Sequence, residues 1–213
     1  MVRRKVILVV AGTIAAVGAY ACWPRHADLR IFDPVETARL ECAMWRDYYD
    51  KRYVTLFYHL TESSRTQFGF SPLDSVRIAF AAARAAKTFQ PTRSRQEANA
   101  ALPYLLSYYD LLRTAAPVAF DPREAARLEL DWWQARREAV GPQAYGKTIA
   151  EVAALIYGTT AADPAMRDYG IARAEAMAYR DSRGQAMTEQ DWLAIESQLR
   201  VAYERLKAGA GGA

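Results

Sequence analysis

The chain has 213 residues, of which 52% are hydrophobic, which is enough to build one packed domain and too apolar for a wholly disordered chain. Its net charge of +4 comes from the N-terminus, because four of its 28 basic residues lie before residue 26 and no acid does. The other 24 are matched by 24 acids. Nucleic-acid-binding domains usually present a concentrated basic face, so nucleic acid is not expected as a partner.

The residues composing the chain favour helices over strands. Alanine is frequent, β-branched residues are sparse after the first 20 positions, and no alternating run of Val, Ile and Thr occurs. We predict an all-α protein with one N-terminal transmembrane or signal helix followed by a bundle of about six to seven helices. The two cysteines, Cys22 and Cys42, are too few for a disulfide framework, and Cys42 is expected to be a small buried residue.

Residues 1–23 are predicted to be a signal anchor or a signal peptide. Arg3, Arg4 and Lys5 precede an apolar stretch, 6–23, that is about as long as the shortest bilayer-spanning helices. Basic residues on this side predict a cytoplasmic N-terminus and a domain outside the cytoplasm. The expectation is a single-pass protein of a bacterial inner membrane, with the membrane itself as a partner.

Two other fates of this segment stay open. Ala19-Tyr20-Ala21 has the small-x-small pattern of a signal peptidase site, and cleavage there would release a secreted protein. Cys22 is also placed where a lipoprotein leader would be acylated, although Tyr20 fits that pattern poorly. All three alternatives carry the domain across a membrane.

Helix-capping residues divide the rest of the chain, with 24–32 as a linker and 33–207 as the helical domain. Asp, Ser or Thr before a Pro or a Glu predicts most helix starts. In chain order the predicted helices cover about 33–68, 71–90, 94–115, 121–141, 142–157, 163–184 and 188–207. The first has a potential break near Tyr53, and Pro103 either kinks the third or lies in its first turn. The Gly/Ala tail, 208–213, is predicted to be flexible.

Two segments of the chain are alike beyond their helix caps. Residues 33–45 read DPVETARLECAMW and residues 121–133 read DPREAARLELDWW. Further on, Ala83-Arg84-Ala85-Ala86 corresponds to Ala172-Arg173-Ala174-Glu175. We interpret 33–120 and 121–207 as two copies of one unit, packed about a pseudo-twofold axis. The alternative is a favourable helix start that is used twice.

Four charged residues fall inside the predicted apolar arcs of their helices, namely Glu41, Glu129, Glu175 and Arg136. A buried carboxylate is unfavourable unless it is paired. One interpretation is structural pairing with Arg136, Arg52 or a tyrosine hydroxyl, and a second is that the carboxylates reach solvent. The third is a functional site, in which these residues are the candidate catalytic or ligand-binding groups.

A metal site has weak support, with His59 and Glu62 as the candidates. Di-iron sites in helical bundles use Glu-x-x-His pairs, and here the acid follows the histidine by three positions. The sequence also contains no phosphate loop and no Gly-x-Ser-x-Gly elbow. No metal and no other cofactor is predicted.

Aromatic residues cluster in the two equivalent helices, and Trp45, Tyr49, Trp132 and Trp133 are the candidate binding surface. One interpretation is a bulky core where the two units meet. The other is an aromatic groove for a ligand or a partner helix.

Two functions are compatible with these features, and an enzyme is the less favoured class. The first is a membrane-tethered extracytoplasmic interaction or scaffold protein that binds a protein partner at the membrane surface. It requires an exposed apolar patch. The second is an enzyme or small-ligand-binding protein that uses buried glutamates at the junction of the two units. It requires those side chains to converge on one cavity.

Overall fold

The computed structural model describes residues 2–26 and 28–211, without the side chains of residues 2–6 and 8. The described residues form helices and no strand, which confirms the all-α prediction. The helices are α1 (Val2–Cys22), α2 (Pro34–Tyr49), α3 (Tyr53–Thr66), α4 (Pro72–Phe89), α5 (Arg95–Ala98), α6 (Leu102–Leu112), α7 (Pro122–Arg137), α8 (Pro142–Tyr157), α9 (Pro164–Arg183) and α10 (Glu189–Gly209).

Side-chain caps start most of these helices where the sequence predicts. The carboxylates of Asp33, Asp121 and Asp163 accept the first free backbone N–H groups of α2, α7 and α9, each followed by a proline. Thr188 and Asp191 form a reciprocal capping box at α10. The starts depend on residues close in sequence, which is why they could be predicted.

The predicted count of six to seven helices is corrected, because two predicted helices are each divided. Segment 33–68 breaks between α2 and α3, where Lys51 adopts a positive φ of 59°. Segment 94–115 is divided by a 3₁₀ turn, and α6 begins one residue before Pro103. The proline therefore lies in a first turn, where its missing N–H leaves no hydrogen bond unmade.

The end of the chain is more ordered than its Gly/Ala composition suggests. Helix α10 continues to Gly209, and Ala210 is buried against the core. The predicted flexible tail, 208–213, is thus helical at its start. Its last two residues lie outside the described part of the chain.

Eight helices of the described chain form a closed ring. Each of α2, α3, α4, α6, α7, α8, α9 and α10 contacts the next in this order, and α10 contacts α2. Four ring helices come from 33–120 and four from 121–207, so α2 and α7 lie four positions apart around the ring. The duplication itself stays a prediction. The ring order does place the two predicted units on opposite sides.

The segment 24–32, predicted as a linker, packs onto the ring. Leu29 and Phe32 are buried. The Tyr157 hydroxyl donates to the Leu29 carbonyl at 3.2 Å, and Lys207 Nζ donates to the Arg30 carbonyl at 2.9 Å. These contacts connect the segment to both α8 and α10.

Helix α1 contacts α4, and the Arg65 guanidinium lies 6.0 Å from the Tyr20 ring centroid at the end of α1. The side chains of Arg3, Arg4 and Lys5, on which the predicted orientation depends, lie outside the described residues. Among the residues whose side chains are described, no helix is long and apolar enough to cross a bilayer.

The backbones of α8 and α9 approach each other closely at two glycines. A Cβ added to Gly146 would lie 2.9 Å from Ile171 Cα, and one added to Gly170 would lie 2.7 Å from the Ala150 nitrogen and closer still to the Gly146 carbonyl oxygen. Only glycine allows this approach. Since Gly170 precedes Arg173 by less than one turn, the approach sets the position of that arginine.

Candidate functional site

A cavity of about 410 Å³ lies at the centre of the ring, and all eight ring helices contribute residues to its wall. Three alanines of α4, Ala82, Ala83 and Ala86, leave much of the space open. The aromatic residues of the wall are Trp45, Tyr48, Phe68, Phe70, Tyr108, Tyr109, Trp132, Trp133, Tyr157, Tyr169 and Tyr203. Its volume is within the usual range of small-molecule sites.

Three charged residues line the described wall: Glu41 of α2, Glu129 of α7 and Arg173 of α9. The two glutamates are the equivalent positions of the two predicted units. The structure therefore brings together two of the four predicted site residues and adds an arginine that the sequence interpretation did not include.

Glu41 is buried and fully paired. Its Oε1 accepts from Arg173 Nη2 at 2.6 Å and from Nε at 3.1 Å, and its Oε2 accepts from the Tyr203 hydroxyl at 2.5 Å. Burial disfavours the charged guanidinium, but the attraction of Glu41 opposes this, and the net effect raises the pKa of Arg173 above its usual range. The pair is thus an ion pair inside the protein.

Glu129 is held in a different way. Its Oε2 accepts from the Tyr109 hydroxyl at 2.9 Å and from Trp132 Nε1 at 2.8 Å, and its Oε1 accepts from Trp133 Nε1 at 3.0 Å. All three donors are uncharged. Within the described chain no Lys, Arg or His forms a salt bridge with this carboxylate.

The tyrosines of the wall are neutral hydrogen-bond donors at neutral pH. Burial raises the pKa values of Tyr108, Tyr109 and Tyr203 above the ordinary value, and it raises the pKa of Tyr169 to about 12. Tyr203 and Tyr109 play matching roles, because each donates to the glutamate of the other unit across a junction of the ring. The two junctions, α10 with α2 and α6 with α7, are therefore built alike.

Glu175 and Arg136 do not reach the cavity, which corrects their expected convergence with the other two glutamates. Glu175 is exposed and accepts from Gln143 Nε2 at 2.9 Å. Arg136 forms a salt bridge with Asp181 at 2.8 Å and donates to the Tyr49 hydroxyl at 2.8 Å. Helix α9 carries alanines on several of its faces, so the helical period in the sequence defines its apolar arc poorly.

Arg173 is the site residue that the sequence interpretation missed. The expected pairing partners were Arg136, Arg52 or a tyrosine hydroxyl, and Glu41 pairs with Arg173 across the ring as well as with the Tyr203 hydroxyl. A signal was present, because Arg173 lies four residues after Tyr169 and four before Met177, both of which are buried. That spacing places the arginine on the inner stripe of α9.

The weak metal candidates, His59 and Glu62, are not part of the cavity wall. His59 Nδ1 lies 2.8 Å from an oxygen of buried Asp47, which also forms a salt bridge with Arg52 at 2.9 Å. The residues that the structure describes include no group of three His, Cys, Asp or Glu side chains suited to a metal ion. His59 is therefore paired with Asp47, away from the cavity.

The candidate aromatic surface is divided between the cavity and a neighbouring part of the core. Trp45, Trp132 and Trp133 line the cavity. Tyr49 lies outside the wall, with the Arg180 guanidinium 3.2 Å from its ring centroid. The tryptophans therefore belong to the same site as Glu129.

The cavity combines largely apolar walls with a few fixed polar groups, which is typical of a site that binds rather than one built around a nucleophile. Cys42 does not line it, and burial raises the pKa of that thiol to about 12, so the thiol stays protonated. Comparisons of the chain with protein-family models, with curated proteins and with solved structures found no match.

Proposed function

We propose that this chain is a small-molecule-binding protein whose ligand occupies the central cavity, and that α1 holds it at a membrane. One observation carries the binding role: the equivalent glutamates of the two predicted units project into one space lined by all eight ring helices. This geometry favours the ligand-binding interpretation of the buried glutamates over the scaffold interpretation.

The size of the cavity supports a ligand rather than a packing defect. Protein interiors are close-packed and hold few voids larger than a water molecule, whereas this partly open cavity measures about 410 Å³. A void of this kind destabilises the fold, and larger residues at Ala82, Ala83 and Ala86 would reduce it. Alanines in these positions favour a space that is kept for an occupant.

Ala83→Trp is expected to abolish uptake of a neutral probe, tert-butylbenzene, because the indole would fill part of the cavity. Binding is measured by calorimetric titration of the full-length chain in lipid nanodiscs, with empty discs as the blank. The matched control, Ala144→Trp, changes an exposed alanine of α8 and should bind as the wild type does. If the wild type takes up no probe of any charge, or Ala83→Trp binds the probe as well as the wild type does, the cavity is not a ligand site.

The membrane tether is supported by the apolar stretch 6–23 and the basic triplet before it. The full-length chain is expected to sediment with membranes and to resist extraction by alkaline carbonate. Val10→Arg with Ile14→Arg should release it, because two charges in the stretch oppose insertion. Extraction of the wild type by carbonate would contradict the tether.

A scaffold role and its protein partner stay predictions of the sequence. Three apolar residues of α4 at helical spacing, Leu73, Val76 and Phe80, are exposed on the outside of the ring. A surface of this kind is what such a role would require.

A further inference from the structure

We propose that the ligand of the central cavity is an organic monocation, a protonated amine or a quaternary ammonium on an apolar body, with its charge next to Glu129. The inference rests on the proposed binding function and adds the chemical class of the ligand. It comes from the charge balance of the cavity wall, from a difference between the two predicted units and from the aromatic lining.

The described wall carries one negative charge without a counter-charge. Glu41 and Arg173 neutralise each other through a short ion pair at 2.6 Å. Among the described residues, Glu129 has only the uncharged donors of Tyr109, Trp132 and Trp133. A charge in a low-dielectric interior is most stable when an opposite charge accompanies it, so a cationic ligand would complete the site.

The first unit contains an arginine that could have paired with Glu129. In the predicted alignment of the two units, Arg84 corresponds to Arg173. If the two halves were alike inside, Arg84 would accompany Glu129 as Arg173 accompanies Glu41. Instead Arg84 lies on the outside of the ring, where it donates to the Tyr104 hydroxyl at 3.0 Å.

Helices α2 and α7, which carry the two glutamates, differ at the position three residues after the glutamate. Met44, three residues after Glu41, is replaced in the second unit by Trp132, three residues after Glu129. That indole N–H donates to the carboxylate. Glu129 is thus held by the dipoles of uncharged donors from both units, and no described Lys, Arg or His forms a salt bridge with it.

The wall around Glu129 is suited to a cation in another respect. Aromatic faces attract cations, most strongly those of tryptophan. The Arg173 guanidinium, 5.4 Å from the Trp132 ring centroid, is an example of such a contact in the same wall. Oε1 of Glu129 accepts one described hydrogen bond, from Trp133, so a lone pair remains for an ammonium N–H.

Three probes of one shape and different charge test the inference: phenyltrimethylammonium, tert-butylbenzene and benzenesulfonate. With the full-length chain in nanodiscs, the cation is expected to bind about tenfold more tightly than the neutral probe. The anion should bind most weakly, because Glu129 repels it. Calorimetric titrations give the three dissociation constants.

Glu129→Gln keeps the shape of the side chain and removes its charge. The preference for the cation over the neutral probe should fall from about tenfold to less than about threefold. The control, Glu175→Gln, removes an exposed acid of α9 and should keep the wild-type order.

A second variant keeps the test valid if Glu129→Gln does not fold. Tyr109→Phe removes one uncharged donor and keeps both the carboxylate and the aromatic face, so affinity for the cation should rise relative to the neutral probe. Equal binding of the three probes by the wild type, or a preference for the neutral probe, would overturn the inference and leave the proposed function intact. Absence of any binding would overturn the proposed function itself.

Discussion

Replacing Arg173 by methionine is expected to lower the free energy of unfolding by about 3–5 kcal/mol. Glu41 is only 5% exposed and would lose both guanidinium hydrogen bonds, keeping the Tyr203 hydroxyl alone. The carboxylate would then face largely apolar walls with one uncharged donor. Urea denaturation of the full-length chain, followed by far-UV circular dichroism, gives the difference.

Two controls separate this effect from the loss of any arginine. Glu41→Gln combined with Arg173→Met should recover most of the lost stability, because no charge is left unpaired. Arg200→Met removes an exposed partner of Glu204, whose oxygen lies 3.8 Å away, and should lose less than about 1 kcal/mol. A loss in Arg173→Met no larger than in Arg200→Met would show that the buried pair is unimportant.

Gly170→Ala is expected to destabilise the fold by about 1–3 kcal/mol or more, against the usual trend for a helical glycine. The new Cβ would meet the Gly146 carbonyl oxygen, the Ala150 nitrogen at 2.7 Å and the Ala150 Cβ at 2.9 Å. Two of these atoms belong to the backbone and cannot move as the end of a side chain can. The measurement is the free energy of unfolding by urea.

The other helical glycines supply the comparison for this variant. Gly146→Ala should destabilise less, since its shortest contact would be 2.9 Å, to Ile171 Cα. Gly12→Ala has no atom within 4 Å and should be neutral or favourable. If Gly170→Ala proved as neutral or favourable as we expect for Gly12→Ala, the result would contradict the close approach of α8 and α9.

Part of the candidate site could be predicted from the sequence because it depends on local patterns. Glu41 and Glu129 fall within apolar arcs of helices whose starts are set by Asp33 and Asp121, and both line the cavity. Their matching positions followed from the likeness of 33–45 and 121–133. A helix period and a cap involve residues only a few positions apart.

The partners of those glutamates could not be predicted in the same way. Arg173 lies 132 positions from Glu41, and Tyr203 lies 162 positions from it. They meet only because α9 and α10 close the ring against α2. The glutamate predicted on α9, Glu175, is exposed because the helix packs on a different side.

The sequence by itself determined the all-α class, most helix starts and the two inward glutamates, since each depends on spacing and capping along one helix. Only the tertiary structure decided which charges meet. Arg84 and Arg173 both stand between alanines, yet Arg84 lies outside the ring and Arg173 lines the cavity. The contact of α9 with α8 at Gly170 helps to set that orientation, and no pattern within either helix contains it.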